Sequence, residues 1–150
     1  MSMQDPHPNK PTNFSGRKKA RRYAVQALYG WSMTQNPLSE IEAFILSEHP
    51  EEVFDRDYFS LLILNITQNV QELDAIMQPL LSRKLTELDF VELAVLRIAV
   101  FELKNRLEIP YRVVINEALN LTKTFGATDG YKFVNGVLDK LAKNLRSFEM

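Results

Sequence analysis

Between positions 17 and 22 the chain reads Arg17-Lys18-Lys19-Ala20-Arg21-Arg22, which puts five of its eighteen basic residues within six positions. Residues of these types at this density do one kind of chemistry well: they neutralise an anion. Arginine offers a planar fork and lysine a compact point charge, and a phosphate backbone suits both. A helix opening at Gly16, with Ser15 as N-cap, sets these cations against the positive end of its own dipole, at about 0.3–1 kcal/mol each. Arg17 with Arg21, and Lys18 with Arg22, are like-charge pairs four apart, each costing about 0.2–0.5 kcal/mol. Such a helix is charged against its own stability, and a polyanion would reverse both penalties. The plain alternative is a solvated charged face. An acidic protein or an anionic lipid surface is a further choice of anion, although the small apolar face of this helix (Ala20, Ala24, Leu28) is needed by the core rather than by a membrane.

A second group lies near the C-terminus, where Tyr131, Lys132 and Phe133 set two rings beside a cation. Recognition of single-stranded RNA uses that combination, rings stacking on bases and cations meeting phosphates. Three consecutive helical residues span about 200°, so they cannot all be buried, and at least one ring faces solvent or a groove. Packing in the core accounts equally well for the other ring, and Asp129 just ahead suits an N-cap.

Catalysis finds less support. The two histidines, His7 and His49, each precede a proline, and neither is placed beside a nucleophile and an orienting acid as a triad requires. The chain has no cysteine and no paired-histidine spacing for zinc. The segment Gly126 to Gly130 lacks the Gly-Lys-Ser/Thr ending of a phosphate-cradling loop. Asp89 and Glu92 read as a capping box rather than a catalytic pair. Arg97 and Glu102 read as rim residues or a partly buried ion pair. The expectation is a binding protein without enzyme activity, cofactor or metal.

The elements that must carry these groups are helices. In the first, from Gly16 to Thr34, Ala20, Tyr23, Ala24, Ala27, Leu28 and Trp31 recur on one face of a 3.6-residue period. A short helix fits 39–48. A long one fits 55–81, with Tyr58, Leu62, Ile66, Val70, Leu73, Met77 and Leu80 inward and Pro79 kinking or ending it. The fourth, capped by Asp89, is apolar nearly all round from Ala94 to Leu103 and belongs at the centre. The fifth spans 112–124, with Val114, Ala118, Leu119 and Thr122 inward, and Gly126 suits the left-handed position after it. The sixth spans 129–145 and buries Phe133 or Val134, then Val137, Leu138, Leu141 and Leu145. No alternating strand pattern is present, so the fold class is all-α, a bundle of six or seven helices.

The 150 residues, 45% hydrophobic and 25% charged, suit one soluble domain with a core of its own. No apolar run approaches the ~18 residues of a membrane span, and the start shows no apolar leader, so a cytoplasmic chain is expected. Residues 1–15, with Pro6, Pro8 and Pro11, read as a disordered tail ahead of a single domain at 16–150. The net charge of −1 hides an asymmetry, because the first 22 residues hold six basic side chains against Asp5 alone.

Four blocks follow the basic helix start in order: RRYAVQALYGW (21–31), ELAVLRIAVFEL (92–103), PYRVVINEALNLTKTFG (110–126) and KFVNGVLDK (132–140). In these blocks the chain closely resembles the NusB family of bacterial transcription antitermination factors. The resemblance implies two three-helix sub-bundles and no enzyme activity. It implies binding to the boxA element of ribosomal RNA leader transcripts together with NusE, a small-subunit ribosomal protein, and entry into the Nus complex on RNA polymerase. Residue by residue, it implies RNA contacts at Arg17, Lys18, Lys19, Arg21 and Arg22, two of the family's usual arginines being lysines here. Asp129 and Phe133 fall on its RNA-facing side, with Lys132 beside them. Tyr29, off the inner face of the first helix, and Glu92, at an exposed helix start, fall on its NusE contact. Two other readings stay open: an RNA-delivery domain of an rRNA-modification system, since similar helical domains precede methyltransferase domains in some rRNA cytosine methyltransferases, and a general helical protein-interaction module.

Overall fold

The computed structural model describes residues 13–126 and 128–150, with side chains from residue 15 onward except those of 127–129. Seven α-helices follow one another: α1 (Asn13–Thr34), α2 (Leu38–Glu48), α3 (Arg56–Gln68), α4 (Val70–Met77), α5 (Phe90–Asn105), α6 (Tyr111–Phe125) and α7 (Thr128–Leu145). Single 3₁₀ turns stand at Gln78–Leu80, Leu85–Glu87 and Ser147–Glu149, and the described residues contain no strand. The chain divides between Leu64 and Asn65, inside α3, into two compact units.

In the first unit α1 buries Ala20, Tyr23, Ala24, Val25, Ala27 and Leu28, while Phe54, Phe59, Leu62 and Ile63 are buried from the α2–α3 loop and α3. Ala20, Ala24 and Ala27 are fully buried on the inward face that the spacing predicts. Trp31 is only half-buried. The helix starts at Asn13 rather than Gly16, so Ser15 lies inside it and is not its N-cap. The reading of residues 1–12 as a tail lies outside the described residues.

The second unit is organised by α5, in which every residue from Glu92 to Leu103 is buried. Its start is the expected capping box: Glu92 N–H donates to Asp89 Oδ1 at 2.7 Å and Asp89 N–H to Glu92 Oε1 at 3.1 Å. Helices α6 and α7 pack on α5 and on each other, and α4 packs on α5. Arg97 is not partnered by Glu102 as a simple helix pair. Its guanidinium makes a two-pronged bond to Asp74 of α4, at 2.9 and 2.8 Å. The far end of α5 is closed by Arg146, which is fully buried and donates to the carbonyls of Leu103 (2.6 Å), Ile109 (2.8 Å), Glu102 (3.1 Å) and Arg106 (3.0 Å). One side chain from beyond α7 thus bonds four carbonyls of a helix end and its loop, two of which, Glu102 and Arg106, also accept the backbone N–H groups of Arg106 and Ile109. Glu149 pairs with the same guanidinium.

The expected single helix over 55–81 is broken at Asn69. Its side-chain Nδ2 donates to the Asn65 carbonyl at 2.8 Å, and its backbone N–H is shared between Asn65 and Ile66 carbonyls at 3.1 and 3.3 Å. A short amide competing for the helix's own acceptor is a local cause of such a break. Gly126 is extended (φ −96, ψ 171), not left-handed. Glycine is needed there for a different reason: an added Cβ would stand 2.8 Å from the Thr122 carbonyl oxygen.

Candidate nucleic-acid interface

The basic cluster of α1 is not uniform. Asp55 stands just before α3, where its Oδ1 accepts the Tyr58 N–H at 2.9 Å, and its own N–H donates to the Gly16 carbonyl at 3.2 Å. The carboxylate is thereby fixed beside α1, with Oδ2 3.9 Å from Arg17 Nε. The Arg17 guanidinium also lies 4.3 Å from the centre of the Tyr58 ring. Lys19 Nζ reaches Glu52 Oε1 at 3.3 Å. Arg56 pins the loop carrying Glu52 by donating to the His49 and Glu52 carbonyls at 2.9 and 3.2 Å. Glu52 Oε2 accepts the Tyr23 hydroxyl at 2.5 Å. That bond holds the Glu52 carboxyl below its ordinary value, while burial and the same carboxylate push the Tyr23 phenol up to about 12. The His49 ring lies tilted by 36° against Tyr23, with ring centres 4.4 Å apart.

Arg21 is only 3% exposed, its guanidinium 5.6 Å from the Tyr58 ring centre. Lys18 and Arg22 are exposed, and Arg22 makes no hydrogen bond or ion pair among the described residues. The cluster therefore has internal counter-charge that its sequence does not reveal, and the uncompensated charge is smaller than five. The dipole penalty shrinks as well. With α1 starting at Asn13, Arg17 is its fifth residue, past the first turn where that penalty acts.

Further along α1, Tyr29 is exposed, with Met33 exposed one turn on. Both point away from the buried face, as the helical wheel predicts for Tyr29.

In the second unit the start of α7 brings cations onto rings. Phe133 is half-buried, and the Arg83 guanidinium lies 4.0 Å from its ring centre. Tyr131 is half-buried beneath Lys123, whose Nζ is 4.9 Å from the ring centre. Lys132 is exposed between them, and Val134 is the fully buried member of the segment. Asp129 belongs to α7, but its side chain lies outside the described residues.

Glu92 departs from expectation. It is 5% exposed rather than solvent-facing. One oxygen serves the capping box, and the other is 3.6 Å from Arg83 Nη1. Burial pushes its carboxyl above the ordinary carboxylate value. Gly130 of α7 comes so near that a Cβ there would stand 3.2 Å from Glu92 Oε2. Arg83, absent from the residues singled out by sequence, is thus the side chain that joins Glu92 to Phe133. Nothing in its local pattern marks it, because its partners come from α5 and α7. Among the described residues, no helix is long and apolar enough to cross a membrane, and no group of three acidic or histidine side chains is gathered to hold a metal.

The described residues form an all-α fold that sets cations on the first helix and ring–cation pairs at the start of the last, side chains suited to an anionic partner. The NusB family profile matches residues 18–143, and the chain belongs to the NusB family. It is 50% identical over 134 residues to the transcription antitermination protein NusB of Hahella chejuensis, covering 89% of this chain and 90% of that protein. Among solved structures it is similar to NusB of T. maritima, with a TM-score of 0.79 at 29% identity over 89% of this chain and 95% of that one. It is equally similar to a NusB solved with the antitermination factor NusE and double-stranded RNA, with a TM-score of 0.78 at 29% identity over 88% of this chain and 99% of that one.

Proposed function

We propose that this chain is a non-catalytic, cytoplasmic transcription antitermination factor that binds boxA RNA of rRNA leader transcripts together with NusE and joins RNA polymerase through the Nus complex. The observation that carries this reading is its similarity, along nearly its whole length, to a transcription antitermination protein. The NusB relative bound to NusE and RNA supplies the two partners. The side chains are suited to the task. Exposed Lys18 and Arg22 on α1, and exposed Lys132 on α7, meet phosphates, with Arg17 and Lys19 able to exchange a carboxylate for one. Phe133 lies at the base-recognition end of α7 with Asp129, while exposed Tyr29 meets NusE. Arg21 supports the RNA face from within by its packing at Tyr58, and Glu92 supports the NusE face through the α5 cap.

Titration of labelled boxA RNA, single-stranded and as a duplex, with and without NusE, tests this. Tight binding of the single strand that strengthens when NusE is added is expected, and Tyr29→Ala should abolish the strengthening while leaving helicity intact. Equal, weak affinity for any RNA in both conditions would favour the delivery-domain reading instead.

A further inference from the structure

Arg83 stands where two differently assigned residues meet. Its guanidinium covers the Phe133 ring at 4.0 Å, and its Nη1 faces Glu92 Oε2 at 3.6 Å. Its side chain is nevertheless 40% exposed. Glu92 cannot easily let it go, because the carboxylate is buried, caps α5 with its other oxygen, and is crowded by the backbone of Gly130. The guanidinium is therefore held by a ring beneath and a carboxylate at its edge while part of it faces solvent. A base approaching the covered face of Phe133 meets Arg83 before it meets the ring. A guanidinium plane is itself a platform for nucleobases, and it carries the charge that the next phosphate needs.

We propose that at this end of α7 an RNA base stacks on Arg83, with Phe133 as the layer beneath and Glu92 as the residue that positions the guanidinium. The inference rests on the RNA-binding reading above. It changes the role expected from sequence, in which the rings of this segment, Phe133 first among them, meet the bases directly.

Anisotropy titrations with the single-stranded boxA RNA, in the presence of NusE, separate the possibilities. Arg83→Ala weakens binding about five- to a hundredfold, the range that one lost stacking contact gives. Arg83→Lys, which keeps the charge and loses the plane, stays several-fold weaker than the wild type. Phe133→Ala weakens binding alone but adds little in the Arg83→Ala background, because the lower layer matters only through the upper one. Wild-type affinity in Arg83→Ala, full rescue by lysine, or simple addition of the two losses would each overturn the stack. If Arg83→Ala melts early in circular dichroism, the Arg83→Lys comparison decides by itself. A wild-type chain that binds no single-stranded RNA would remove the functional reading itself, whereas wild-type binding with an indifferent Arg83 removes only this inference.

Discussion

Neighbouring arginines of α1 should fail in different ways. Arg21 is 3% exposed and packed at the Tyr58 ring, whereas Arg22 is exposed and makes no ion pair among the described residues. A desolvated cation–ring contact is worth about 2 kcal/mol. In a chain of this size each kcal/mol moves the melting temperature by about 2–4 °C, so Arg21→Ala should melt about 4–8 °C lower. Arg22→Ala leaves no cavity and should shift the melt by less than about 1 °C. Its loss appears in RNA affinity instead. One phosphate contact on a single strand contributes ~0.7 to the log–log salt slope, which at 0.1 M salt is about fivefold in affinity. The assay is a pair of measurements on each variant: a circular dichroism melt, and an RNA titration well below the melting temperature. A stable Arg21→Ala that binds RNA as poorly as Arg22→Ala would refute the division, because both arginines would then face the polyanion.

Three further outcomes follow from the same geometry. Breaking the two-pronged Arg97–Asp74 pair, whose side chains are 9% and 16% exposed, should cost about 3–5 kcal/mol in urea unfolding when only Arg97 is removed, and much less when Arg97→Met is combined with Asp74→Leu. Arg146→Ala should be similarly costly, at about 3–5 kcal/mol, because it strands carbonyls of α5 and its loop, and hydrogen exchange should quicken first at Arg106 and Ile109. The Tyr23–Glu52 bond predicts an acid dependence. Because the folded-state Glu52 carboxyl is held below its ordinary 4.5, its stabilising contribution is present above that pH and is lost as pH falls through the lower folded value. Tyr23→Phe should therefore reduce stability at neutral pH and flatten the decline of the melting temperature in acid, and an unchanged acid limb would show that the bond contributes nothing.

Much of the fold was legible because it is written in local period and local capping. The α5 core run and the Asp89–Glu92 box are complete within a few residues of sequence, and the inward face of α1 follows from spacing alone. What stayed hidden depends on partners distant in sequence. Asp74 lies 23 residues from Arg97, and Asp55 and Glu52 reach back to α1 from the loop before α3, so the cluster looked less compensated than it is. Glu92 was correctly read as a cap, but its burial depends on the approach of α7 at Gly130. The break at Asn69 turns on one amide choosing its acceptor, which hydrophobic spacing does not register. Of the site, the residue types were legible and the pairings were not: sequence marks Phe133, and only packing brings Arg83 over it.

The central claim is that exposed cations on this helical chain meet RNA phosphates. The most direct measurement is RNA affinity for the chain with NusE across a salt series. Contacts by Lys18, Arg22, Lys132 and Arg83 predict a log–log slope of about −3, shrinking in magnitude by ~0.7 for each cation removed. A slope near zero, or one that none of these substitutions changes, would contradict it.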